Sequence, residues 1–148
     1  MSAFHEEFDV DRRPGEVWAY LSDPSHLPEW QKSAVSVEQL DDSPFGLGSR
    51  LRITRHVGRR DVPLTMRVTE FEPPRSWSMQ GIDGPVRGRV HGEVVPLPDG
   101  RTRVTMDLDF EGHGIGRVLI PLVVRPQVRR ELPENERLLK ERLEHAAG

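Results

Sequence analysis

The chain has 148 residues, a formal net charge of −3 and no cysteine. One domain of this length buries roughly 70% of its unfolded surface and can hold a core without staples. The composition excludes disulfides, thiolate metal sites and cysteine nucleophiles, and the slight acidity argues against nucleic acid as a partner.

The opening stretch MSAFHEEFDVDRR has no apolar signal region, and the longest apolar run, VLIPLVV, is too short to cross a bilayer. A soluble, cytoplasmic protein without membrane insertion is expected, its oligomeric state open between monomer and homodimer. Only Lys32 and Lys140 are lysines, and the doubled arginines (Arg12-Arg13, Arg59-Arg60, Arg129-Arg130) read as solvated surface.

FHEEFDV alternates Phe4, Phe8 and Val10 against His5, Glu7 and Asp9, a half-buried strand. Pro14 suits a first helical position, and Val17, Trp18 and Leu21 share one helical face up to Asp23-Pro24. A second helical stub carries Leu27 and Trp30 and is interrupted at Pro28. In SAVSVEQL, Val35 and Val37 share a face, and DDSPFGLGS is a turn cluster.

RLRITRHV and VPLTMRVTEF form a hairpin across GRRD, with Val57 facing Val62, Ile53 facing Met66 and Leu51 facing Val68. Arg55 interrupts this apolar face, and Glu70 falls on the same parity. SWSMQ places Trp77 and Met79 together. VRGRVHGEV then aligns Val86, Gly88, Val90, Gly92 and Val94, and VTMDLDF aligns Val104, Met106, Leu108 and Phe110. The expected register sets Gly88 between Trp77 and Phe110 and Gly92 opposite Met106. Inward glycines beside large side chains mean a sharply coiled sheet, an empty space, or both. After EGHGIG the chain is helical, with Ile115, Leu119 and Leu122 at helical spacing, a kink expected at Pro126 and a new start at Pro133. Glu136–Lys140 reads as a supporting pair, and Leu132, Leu139 and Leu143 as a buried stripe.

Five stretches carry a resemblance over the whole chain. They are RPGEVWAYLSDPSHLPEW after the first strand, GLGSRLRI opening the third, VTEFEPPRSWSM between the fourth and fifth, DGRTRVTMDL in the last hairpin, and ERLLKERLE near the end. The chain resembles the START/Bet v 1-like (SRPBCC) superfamily, in particular its bacterial polyketide cyclase/dehydrase and lipid-transport branch. The resemblance implies a single α+β domain with a helix-grip fold. A curved seven-stranded antiparallel sheet would wrap a long C-terminal helix around an apolar cavity, with two short helices between strands 1 and 2 plugging one end. It also implies that Trp30 lies close to the cavity floor.

The six histidines show no metal-ligand spacing, so no metal and no cofactor are expected. His56 and His91 lie on the polar parity of their strands. His113, in a glycine-flanked loop, either reaches a cavity mouth or is an ordinary loop residue. Arg55 is costly to bury unless paired or wetted. It either binds a ligand carboxylate or developing enolate, or snorkels to solvent. Glu6 and Glu70, both on inward parity, are either general bases raised by desolvation or rim residues that water reaches. The catalytic candidates are Arg55, Glu70 and His113. The expected ligand wall joins Ile53, Met66, Trp77, Met79 and Val90 to Met106, Leu108 and Phe110, with Leu119 and Leu122 from the helix.

Three functions fit. The first is a binding module for a small hydrophobic ligand such as a polyketide, isoprenoid or lipid-like molecule. The second is an aromatase, cyclase or dehydratase using the same cavity, and the third a protein-interaction domain. Polar side chains converging inside the cavity would favour the enzyme over the binder. A filled core with an exposed apolar patch would favour the third.

Overall fold

The structure, a computed structural model, describes residues 3–145. Within them seven strands form one antiparallel sheet in the order β1-β7-β6-β5-β4-β3-β2. Their spans are β1 Phe4–Val10, β2 Ala34–Gln39, β3 Arg50–Val57, β4 Arg60–Glu72, β5 Ser76–Gly81, β6 Val86–Pro96 and β7 Thr102–Gly112. Between β1 and β2 lie α1 (Pro14–Leu21), a 3₁₀ turn (Pro24–His26) and α2 (Leu27–Trp30). Pro28 does not break α2; it occupies the first turn, where its missing N–H costs nothing. Asp23 caps the 3₁₀ turn by accepting the Ser25 N–H at 3.0 Å.

The C-terminal helix is continuous: α3 (Gly116–Leu119), a π turn (Ile120–Val124) and α4 (Arg125–His145). No new start occurs at Pro133, which lies inside α4. The irregularity comes before Pro126, where the Arg125 N–H bonds back five residues to the Ile120 carbonyl. This wider turn changes the phase of the helix. Ile120 and Val124 face the core, whereas Leu122 within the turn and Ile115 ahead of it face solvent.

The faces of the strands follow their alternation except at two bulges. One, between Ala34 and Ser36, buries Ala34 and turns Val35 outward, separating it from Val37. The other, between Val68 and Glu70, carries Phe71 inward and Glu70 outward. The β3–β4 pairing is two residues out from expectation, with Leu51 opposite Met66, Ile53 opposite Leu64 and Arg55 opposite Val62. The cause is a two-residue turn, with Gly58 at a φ of +62°, in place of a four-residue loop. A shift of two keeps every side chain on its face. On β6, Gly88 faces Phe110 and Gly92 faces Met106 as expected, but Trp77 stands opposite Gly92. The residues after β5 fold back onto β4, with the Ile82 N–H bonded to the Thr65 carbonyl and the Thr65 N–H to Asp83 Oδ1. Pairing of β5 with β6 consequently stops at Gln80–Arg89.

Two anchors hold the long helix. At its C-terminal end Arg12 donates to the carbonyls of Leu143 (2.6 Å) and Glu144 (2.7 Å), while the Thr102 hydroxyl donates to the Arg12 carbonyl (2.6 Å). Arg12 is therefore a helix cap and not free surface. Toward the other end Gln127 accepts the Gly58 N–H at 2.9 Å and donates to the His56 carbonyl at 2.7 Å. Gly116, at the helix start, lies so close to the Pro85 carbonyl that a Cβ would stand 1.7 Å from its oxygen.

Candidate functional site

The concave face of the sheet has two unlike halves. Under α1, α2 and the end of α4, the residues Val10, Leu51, Val94, Val104, Leu139 and Leu143 are closed off together with Trp30, Ile53 and Met106. Burying each aliphatic side chain of this kind is worth about 1.5–3 kcal/mol. Trp18 packs its ring on Phe71 (5.6 Å between centroids) and on Trp77 (6.1 Å). The Trp77 indole lies over Gly92, where a Cβ would stand 2.2 Å from its edge. The space in front of Gly92 is filled, not empty. Two helical stubs with two tryptophans thus close this end of the grip.

Further along the same strands the inner face is less completely buried, with Met66 and Met79 packed at the margin of the core. Met66, Met79, Val90, Leu108 and Phe110 are half-buried, as is Leu119 on the helix. Gly88 leaves room for the Phe110 ring, which meets Phe4 edge to face at 6.3 Å. Of the expected wall, Met66, Met79, Val90, Leu108, Phe110 and Leu119 make up this half-buried part. Trp30, Ile53 and Met106 belong to the packed half, and Trp77 sits at the boundary. Leu122 is excluded: it is 71% exposed on the outer side of the helix.

Four charged side chains meet in two pairs between sheet and helix, Arg55 near Glu131 and Glu6 near Glu136. Arg55 arrives from β3, its guanidinium surrounded by protein atoms while the rest of the side chain keeps some exposure, and donates to the Ser33 hydroxyl at 3.1 Å. Burial lowers its pKa to about 10 and the nearby Glu131 of α4 acts the other way, so it stays charged at neutral pH. Glu6 arrives from β1 and meets Glu136 of α4. Burial, followed by the charge of Glu136 and a hydrogen bond with it, raises the Glu6 pKa to about 7. Glu6 Oε2 is buried and no N–H or O–H donor of the protein reaches it, which favours the protonated carboxyl. Glu136 is therefore an interior group and not the surface partner of Lys140. Glu131 and Glu136 stand five residues apart, about 7.5 Å of helical rise but about 140° round the helix, so they meet Arg55 and Glu6 on different sides of it, as β3 and β1 lie toward opposite edges of the sheet.

Glu70 is not part of this interior. On the outer face its carboxylate accepts from Ser78 (2.9 Å) and Ser76 (3.1 Å), and those bonds hold its pKa below the usual carboxylate range. That is the opposite of what a buried base needs. His91 joins the cluster through Ser78 (2.7 Å), and His56 pairs with Asp61 (2.9 Å), both on the solvent side as their parity required. An open depression of about 420 Å³ lies beside this cluster, bordered by Thr69, Ser78, Gln80, Arg89, His91, Asp107 and Asp109 and touching Met79 and Val90 as well. His113 sits in the loop before α3, its N–H bonded to the Pro85 carbonyl and its Nε2 3.4 Å from Glu111. Among the described residues no group of three His, Asp or Glu side chains is arranged to hold a metal ion.

Glu131 and Glu136 are the residues that sequence reasoning did not place here. For Glu136 a signal existed: Leu132, Glu136, Leu139 and Leu143 follow the 4-3-4 spacing of one buried stripe.

Residues 1–144 match the family described as polyketide cyclase/dehydrase and lipid transport, and the chain belongs to it. No curated protein sequence matches the chain. Among solved structures it is similar to the Zhui aromatase/cyclase from Streptomyces sp. R1128, at a TM-score of 0.79 and 17% identity over 98% of this chain and 94% of that one. It is also similar to a START superfamily protein from Mycobacterium smegmatis, at 0.77 and 18% over 97% of each. A norcoclaurine synthase from Thalictrum flavum follows at 0.64 and 18% over 93% of each. At these identities the likeness establishes the helix-grip fold.

Proposed function

We propose that the chain binds a small hydrophobic ligand, of polyketide, isoprenoid or lipid-like character, in the open half between sheet and helix. The observation that carries this reading is the contrast along single strands. Met106 is closed off while Leu108 and Phe110 on the same strand keep partial exposure, and Leu108 lies in register with Val90 and, beyond it, Met79 on the same face of the sheet. Methionines and aromatic rings give an adaptable apolar surface, and Arg55 supplies an orienting charge for a ligand carboxylate or enolate. The family description and the fold shared with an aromatase/cyclase support it. Native mass spectrometry of freshly purified protein, followed by solvent extraction, tests it. A stoichiometric lipid or aromatic compound is expected. A clean apo mass across preparations, with no uptake of added long-chain or polycyclic compounds, contradicts it.

A second reading, a cyclase- or dehydratase-type enzyme in the same space, has its own support in the Glu6–Glu136 pair. A carboxyl poised near neutral pH can take and return a proton, while Arg55 stabilises negative charge developing on a bound oxygen. Positioning of a flexible substrate by the apolar wall would supply the remainder. Turnover that is lost in Glu6→Gln, with ligand binding retained, separates this reading from simple binding.

A further inference from the structure

Where the long helix begins, it turns an apolar stripe to solvent. Ile115 is 65% exposed, Val118 54% and Leu122 71%, at spacings of three and four residues, and Pro121 is exposed beside them. The stripe continues into exposed Arg125, with Arg117 and Arg130 alongside, and into exposed Arg129, whose guanidinium lies 6.0 Å over the Phe4 ring. From 112 to 130 the sequence contains four arginines and no Asp or Glu, in a chain whose net charge is −3. Exposed Arg59 and Arg60 join the same end, because the β3–β4 turn is tied to the helix through Gln127. The position is rigid: Gly116 is pressed on Pro85 and Val123 packs at Gly58.

We infer that this segment is a docking surface for an anionic lipid bilayer, on which the helix start lies without crossing. Several observations favour that occupant. Apolar side chains flanked by arginines, on a convex helix face, match the layered chemistry of a bilayer surface, with acyl chains below and phosphates above. Three aliphatic side chains cover far less than the roughly 800 Å² per partner of a stable protein interface, yet shallow burial of a few such groups with several arginines gives reversible membrane association. A second copy packed two-fold on the stripe would set Arg117, Arg125 and Arg129 against their own counterparts. The surface borders the open half of the grip, because Leu119 and the stripe belong to the same turns of helix. The inference concerns the exterior and holds whatever the interior contains.

The test is co-sedimentation of the full chain with vesicles of phosphatidylcholine alone and with vesicles also containing phosphatidylglycerol, at low and high salt. Binding to the anionic vesicles is expected, at least tenfold above the neutral ones, and falling as salt rises. Leu122→Ser and Ile115→Ser should each weaken it by roughly tenfold, and Arg125→Glu by several-fold. Circular dichroism and light scattering on each variant keep the test clean, since these positions are exposed. Equal binding to both vesicle types, no binding to either, or a dimer that Leu122→Ser dissociates would overturn the inference.

Discussion

At the end of the grip closed by α1 and α2, Leu51, Val94, Val104 and Leu139 are sealed beneath Trp18, Trp30 and the end of α4. A few residues further along the same strands, Met66, Met79, Val90 and Leu108 present equally apolar side chains that remain half-buried. Residue type does not separate the two regions. What separates them is what lies above: two short helices and their tryptophans at one end, and at the other a single helix that brings Glu131 and Glu136 to the interior. The packed end fixes the helix, and the half-buried end keeps apolar surface near the Arg55 guanidinium.

The sharpest way to break this contrast is a pair of truncations. Leu139→Ala should cost about 2–5 kcal/mol in urea unfolding. Met79→Ala at the open end should cost under about 1 kcal/mol, since water already reaches it. Comparable losses would mean that the open half is packed like the other. Next in size is the anchor: Arg12→Ala removes two charge-assisted bonds to the last helical carbonyls and should cost about 1.5–3 kcal/mol. Hydrogen exchange should then quicken at the end of α4 first.

The Glu6 site, beside Met106 where β1 pairs with β7, has a pH signature. Glu6 titrates near 4.5 when unfolded and at about 7 when folded, so the folded state holds the extra proton between those values. Stability from this group is full below about 4.5 and is lost as pH rises through 7. The loss is on the order of 2 kcal/mol once screening by the water that reaches the site is allowed for. Glu6→Gln should flatten the slope of stability between pH 5 and 7 and raise stability at pH 8; an unchanged slope would place the carboxyl in solvent. The smallest effect on folding is expected for Arg55→Leu, within about 1 kcal/mol of wild type, because a buried charge costs nearly what its partners return. Ligand uptake should fall at least tenfold. Unchanged uptake with raised stability would remove Arg55 from the site.

Much of the fold was legible because alternation is a local signal: Val104, Met106, Leu108 and Phe110 declare their face without knowledge of any neighbour. The bulges were not legible. A single extra residue at Val35 or Thr69 leaves no mark in composition, yet it reverses every later side chain, and so Glu70 was expected inside and Val35 beside Val37. Registers failed in the same way, since hairpin pairing depends on turn geometry that Gly58 and the fold-back at Ile82 decide. In the site, Arg55 was found because a lone charge on an apolar strand face is conspicuous. Glu136 was hidden by a plausible surface partner four residues away, and Leu122 was misplaced because a π turn altered the helical phase.

The most direct test of the two-region account uses its methionines. With methyl-¹³C methionine, NMR titration with 2-naphthol or decanoate reads Met66, Met79 and Met106 separately. The account predicts saturable shifts at Met66 and Met79 and a still signal at Met106. Shifts at all three, or at none while the ligands bind elsewhere, would contradict it.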